Sequence, residues 1–274
     1  MRSVSRLRPL PGNTARLLKA LEEPYITPAQ VGEMIALDQA LTAYILRVAN
    51  SASLGYAMSC ASLTDAVMRL GFKQVRSLVM TTVASGPLTA RLSGYRLGDK
   101  ELWYHSIAVA SAAHWLASVL RFPDPEKAYI AGLLHDIGKL LLDQYVQADY
   151  QKAVALMREH RVRLWQVEAH LFGIDHAAVG GLISEHWQFP GELVEAIRSH
   201  HTPSAGQSQQ DLAAIVNLAN ALIDSSPNEL SELEGRVIHP EALHILHLNE
   251  TSVERLRTKL NNALFEYQAR QVYF

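Results

Sequence analysis

Residues Ala131–Leu142 read AGLLHDIGKLLL, and the interpretation of this run decides what kind of protein the chain forms. The run is apolar and helix-like apart from His135, Asp136 and Lys139. A histidine beside an aspartate in such surroundings places an imidazole nitrogen and a charged oxygen where burial is costly unless a partner offsets it. A metal ion is such a partner. Lys139 falls one helical turn beyond the pair, on the same side.

Outward from this run the periodicity is helical almost throughout, with no alternating strand pair and no Asn-Gly hairpin signal. The reading is an all-α protein, a multi-helix bundle of roughly a dozen helices. Upstream, Phe122-Pro123-Asp124-Pro125 is a turn in which Asp124 caps and Pro125 opens the helix that carries the His-Asp pair. Thr27-Pro28-Ala29-Gln30 combines a capping threonine, a proline at the first helical position and a glutamine three residues after the cap. Leu41–Ala49 is a compact apolar helix that ends at Asn50 and Ser51, where local side-chain bonds to the backbone are expected. Gly71 supplies a left-handed cap between DAVMRL and FKQVRSLVMTTVAS, and the latter stops at Gly86-Pro87. The polar, glycine-containing Leu88–Gly98 stretch is the expected boundary, giving an N-terminal helical portion, 1–95, packed on a helical core, 96–274. A last helix in Thr251–Phe274 carries an apolar stripe at Val253, Leu256, Leu260, Leu264 and Tyr267.

With 274 residues and 49% hydrophobic side chains, the chain can bury a substantial core. Its 25 Lys+Arg against 27 Asp+Glu give a net charge of -2, so neither nucleic acid nor an anionic membrane is an expected partner. Arg2, Arg6 and Arg8 read as a solvated arm. Cys60 is the single cysteine, which excludes an intrachain disulfide and suits a reducing cytoplasm. The N-terminus has charges and prolines where an export signal needs an apolar stretch. Leu102–Leu120 lacks Asp, Glu, Lys and Arg, but His105, His114 and three serines make it a buried helix rather than a membrane span.

Nine of the 12 histidines lie between His105 and His201. Glu101 and His105 are four apart and share a helix face. His176 begins a helix, and His200 and His201 end another. Helices in a bundle can gather such positions into one metal site. Mixed imidazole and carboxylate donors suit a divalent transition metal, iron or manganese ahead of zinc or nickel. More than four candidate ligands allow one or two ions, with Asp136 bridging in the second case and Lys139 placed to neutralise a phosphate oxygen. No HExxH, GxSxG, Walker loop or dinucleotide fingerprint occurs.

The spacing of His105, the His135-Asp136 pair with its Gly-Lys extension and the later histidines resembles the HD superfamily of metal-dependent phosphohydrolases. The segments LPGNTARLLKAL, VGEMIALDQALTAYILRVANSA and DAVMRLGFKQVRSLV resemble the HDOD output domain of bacterial signalling proteins. The resemblance implies an all-helical, cytoplasmic regulatory protein with reduced or absent hydrolase activity. By likeness to the HD-GYP phosphodiesterases it also implies metal ligation by Glu101, His105, His135, Asp136, His176, His200 and His201, with Lys139 facing phosphate. Asn220 stands where those enzymes have a final aspartate, and HHTPSAGQ lacks their Gly-Tyr-Pro segment. The amide of Asn220 can still coordinate weakly, without the charge. The expected role is therefore regulatory binding of a signalling protein or a small phosphate-containing ligand. The alternative is an active metal-dependent phosphohydrolase in which Asp136 and Lys139 are catalytic.

Overall fold

A computed structural model describes residues 12–51, 60, 62–204, 210–223, 230, 233 and 237–271, with 264–271 as backbone. The arginine arm, the Gly55-Tyr56 loop, most of the 204–210 loop and the side chains of Leu264 and Tyr267 lie outside the described residues. The architecture is all-α, and the one β-type pairing among the described residues is an isolated bridge between Leu92 and Leu97. The chain divides into two compact units, Met1–Gly86 and Pro87–Phe274. The division falls at the Gly86-Pro87 step, ahead of the 95/96 boundary expected from composition. The Leu88–Gly98 stretch is no linker, because Leu92 and Tyr95 are buried within the larger unit.

The N-terminal unit contains α1 (Gly12–Ala20), α2 (Pro28–Ile35), α3 (Gln39–Ala49) and most of α4 (Leu63–Leu88). Its helix starts are set locally. Thr27 and Gln30 form the expected capping box, with Gln30 N donating to Thr27 Oγ1 at 3.3 Å and Thr27 N to Gln30 Oε1 at 3.0 Å. Asp38 caps α3 through the Leu41 amide at 3.0 Å. Asn50 bonds across ten residues rather than locally, accepting from Cys60 N at 2.7 Å and donating to Cys60 O at 2.9 Å. The helix α4 breaks at Gly71, where φ is 76. Leu17, Val31, Ile35, Ile45 and Val67 form the apolar centre of this unit.

The larger unit contains α5 (Glu101–Val119), α6 (Pro125–Leu134), α7 (Lys139–Ala148), α8 (Tyr150–His160), α9 (Leu164–Phe172), α10 (His176–His186), α11 (Gly191–Arg198), α12 (Gln210–Leu222), α13 (Pro240–Ile245) and α14 (Glu250–Gln271). The helices α5, α6 and α12 pack on one another, and α10 and α11 close one side. Both α6 and α12 bury side chains around most of their circumference, as expected of central helices. No described helix is long and apolar enough to cross a membrane.

Candidate metal centre

The His-Asp pair does not ride inside a helix. The helix α6 stops at Leu134, and His135–Gly138 forms a tight turn before α7 begins at Lys139. In this turn Ile137 N bonds Leu134 O, Lys139 N bonds Asp136 O and Leu140 N bonds Ile137 O, at 3.0, 3.0 and 3.2 Å. Here α10 passes so close that a Cβ at Gly138 would lie 1.9 Å from the His176 carbonyl oxygen. Only glycine admits this approach, and the turn swings both side chains of the pair inward.

Three more helices deliver side chains to the same place. His105 is on the second turn of α5, and His176 is the first residue of α10, whose cap Asp175 accepts from Ala178 N at 2.7 Å. His200 and His201 follow the last turn of α11, and Asn217 donates to the His200 carbonyl at 2.8 Å. Asp136 is central. Its Oδ2 lies 3.4 Å from His135 Nε2, 3.7 Å from His105 Nε2 and 2.7 Å from Lys139 Nζ, while Oδ1 lies 3.2 Å from His176 Nε2. His201 Nε2 and His176 Nε2 are 2.8 Å apart, and the His200 and His201 rings are 4.0 Å apart. Trp165 stacks on the outer face of His201.

Two groups of donors emerge, His105 with His135 and Asp136, and His176 with His200 and His201, the candidate ligand atoms of each within 4.8 Å of one another. Ring orientation is fixed from behind. His135 Nδ1 donates to Gly132 O at 2.7 Å and His200 Nδ1 to Ile197 O at 2.8 Å, which turns both Nε2 atoms inward. Those two Nε2 atoms are buried and have no hydrogen-bond partner among the described residues. Leaving each unsatisfied costs about 1–3 kcal/mol. A divalent cation held at these donor groups would satisfy such nitrogens, so the residues present fit a metal ion.

Burial pushes His105 down to about 3, against the pull of Asp136. Burial also lowers His135, His200 and His201. These rings are therefore neutral at physiological pH, the form in which an imidazole can ligate a metal. Burial alone would raise Asp136, but neighbouring His135 and Lys139 hold it well below the usual carboxylate range. His176 differs: burial, the largest single effect, lowers it, but the charge of Glu168 and hydrogen bonds to Asp136 and Glu168 together outweigh burial and take it up to about 10 in the metal-free chain.

Of the residues expected at the site, Glu101 does not join either group. Its Oε2 accepts from the Gly98 amide at 2.8 Å, at the first turn of α5. Asn220, on α12, reaches the His105 ring. Sequence reading missed Glu168 and Tyr95. Glu168 shares a buried face of α9 with Leu164 and Val167, and a carboxylate at that spacing was the available signal. Tyr95, among polar residues and glycines, gave none.

The HDOD domain family matches residues 7–203. The chain belongs to this family. Among solved structures, an HDOD domain protein of unknown function from Geobacter sulfurreducens superposes with a TM-score of 0.73 at 25% identity, covering 96% of this chain and 92% of that one. A presumed phosphohydrolase from Shewanella amazonensis gives 0.70 at 29% identity, covering 95% and 92%. An uncharacterized protein of Treponema pallidum is 25% identical over 222 residues, 78% of this chain. The HDOD chain spans only 41% of that relative's length.

Proposed function

We propose that this HDOD chain is a bacterial cytoplasmic signalling component that holds one divalent transition metal, iron or manganese in preference to zinc or nickel. It acts by binding a partner protein or a small phosphate-containing ligand, with little or no hydrolysis. The observation that carries this reading is Asn220, a neutral amide beside His105. Among the described residues Asp136 is then the only carboxylate in the donor groups, and Lys139 already neutralises part of it. Two dications and a hydroxide between them need more negative charge than this centre offers. One ion held mainly by imidazoles is compatible with it.

A bound dication would supply Lewis acidity toward a phosphate oxygen. Lys139 would add a second positive contact from the start of α7. The Nδ1 bonds of His135 and His200 keep their rings aligned. Purified protein, assayed for bound metals and for turnover of bis(p-nitrophenyl) phosphate, tests the reading. One ion per chain is expected, lost in His135→Ala, with turnover at background. Asn220→Asp is expected to raise the ion-to-chain ratio. Turnover at an ordinary enzymatic rate that His135→Ala abolishes would overturn the non-catalytic part.

A second reading, an active metal-dependent phosphohydrolase, draws support from the likeness to the presumed phosphohydrolase of Shewanella amazonensis and from Lys139 at 2.7 Å from Asp136. It predicts measurable turnover in the unaltered chain, which Asn220→Asp changes but does not create.

A further inference from the structure

We infer that Glu168, seated by the Tyr95 hydroxyl, is a positioning residue of the metal centre: it fixes His176 with Nε2 toward the donor groups and makes that nitrogen a stronger donor. This rests on the metal-binding reading above. Glu168 is 1% exposed, a setting in which a carboxylate is costly to keep unless it is fully bonded. Its Oε2 accepts from both the backbone N and the ring Nδ1 of His176, at 2.8 and 2.6 Å, so one oxygen fixes the first residue of α10 and its ring together. Its Oε1 accepts from the Tyr95 hydroxyl at 2.8 Å.

The comparison with the neighbouring rings is what singles Glu168 out. His135 and His200 are held through Nδ1 by neutral carbonyls, whereas His176 is held by an anion. A carboxylate behind a ligating imidazole raises the basicity of its far nitrogen and sets its tautomer. Charge therefore reaches the centre through the ring. The Tyr95 end is also built. Asp143 Oδ1 accepts from Gly94 N at 2.8 Å and Tyr95 N at 3.4 Å, which presses this bend onto α7. A Cβ at Gly94 would lie 2.1 Å from the Asp143 carbonyl oxygen, so the approach demands glycine. The Leu92–Leu97 bridge closes the bend, and Tyr95 is 2% exposed.

Glu168→Gln separates charge from shape. The amide oxygen can accept from His176 and the amide nitrogen can donate to the Tyr95 oxygen, so the hydrogen-bond count is kept. The experiment measures the dissociation constant of cobalt(II) for the full-length protein by chelator competition, together with the visible absorption spectrum of the cobalt form. Glu168→Gln is expected to weaken binding about 10–100-fold and to alter the spectrum. Glu168→Asp, which keeps the charge, is expected to recover part of the affinity. Tyr95→Phe is expected to weaken binding less than Glu168→Gln. Unaltered protein that binds cobalt while folded Glu168→Gln binds it equally well, with the same spectrum, overturns the role of Glu168 alone. An unaltered Tyr95→Phe overturns the role of Tyr95. Failure of the unaltered protein to bind any ion overturns the metal reading, and this inference with it.

Discussion

Around Ile45 in the N-terminal unit the buried side chains are apolar, and the buried polar groups there, Ser77 and Thr81, direct their hydroxyls to carbonyls of their own helix. Around Asp136 in the larger unit the centre holds His135, His176 and His200 at 0% exposure, with Asp136 and Glu168 at 1%. Both centres exclude water, yet they use the exclusion differently. Apolar contacts stabilise by transfer from water and require no ligand. Neutral imidazoles with unbonded nitrogens cost stability until a cation is bound, so folding and binding are coupled in the larger unit.

The largest difference between the two centres should appear on acidification of metal-stripped protein. His105 has its folded value lowered to about 3, so the unfolded chain binds more protons below the ordinary 6.5. Its neutral-state contribution is complete above 6.5 and is lost as pH falls toward 3, at about 1.4 kcal/mol per pH unit. His135, His200 and His201 are shifted the same way and steepen the loss. His176, raised to about 10, has the opposite sign: its contribution is complete below 6.5 and disappears as pH rises through 10. Denaturant titrations at pH 7.5 and 5.5 should show the stripped protein much weaker at 5.5. Equal stability at the two pH values would break the comparison.

Truncation of the apolar centre comes next. Ile45→Ala should cost about 2–5 kcal/mol, because Ile45 is 0% exposed and its removal leaves a cavity. The ion-to-chain ratio of the folded protein should not change. If metal content fell with stability in this variant, the two centres would not be energetically separate. The smallest effect is at the start of α2, where Thr27→Ala removes an exposed cap and should cost about 1 kcal/mol by chemical denaturation, with metal content unchanged.

Local chemistry made much of the fold legible. The Thr27 cap, Pro125 at the start of α6, the Gly71 break and the buried character of α5 each depend on residues within a few positions. The unit boundary was less legible, because Leu88–Gly98 is polar in composition but sends Tyr95 inward to Glu168. Glu101 looked equivalent to His105 by helical spacing, whereas in the structure its Oε2 accepts from the Gly98 amide.

HDIGK by itself determined that a charged pair would be buried and would need a partner, since a histidine and an aspartate in an apolar run admit few other fates. Only the tertiary structure decided how that need is met. The helix α10 passes closely over Gly138 in the turn that holds the pair, and α5, α9, α11 and α12 bring His105, Glu168, His200, His201 and Asn220 around it. These approaches join residues far apart in the chain, and packing between helices, rather than any local preference, fixes their distances.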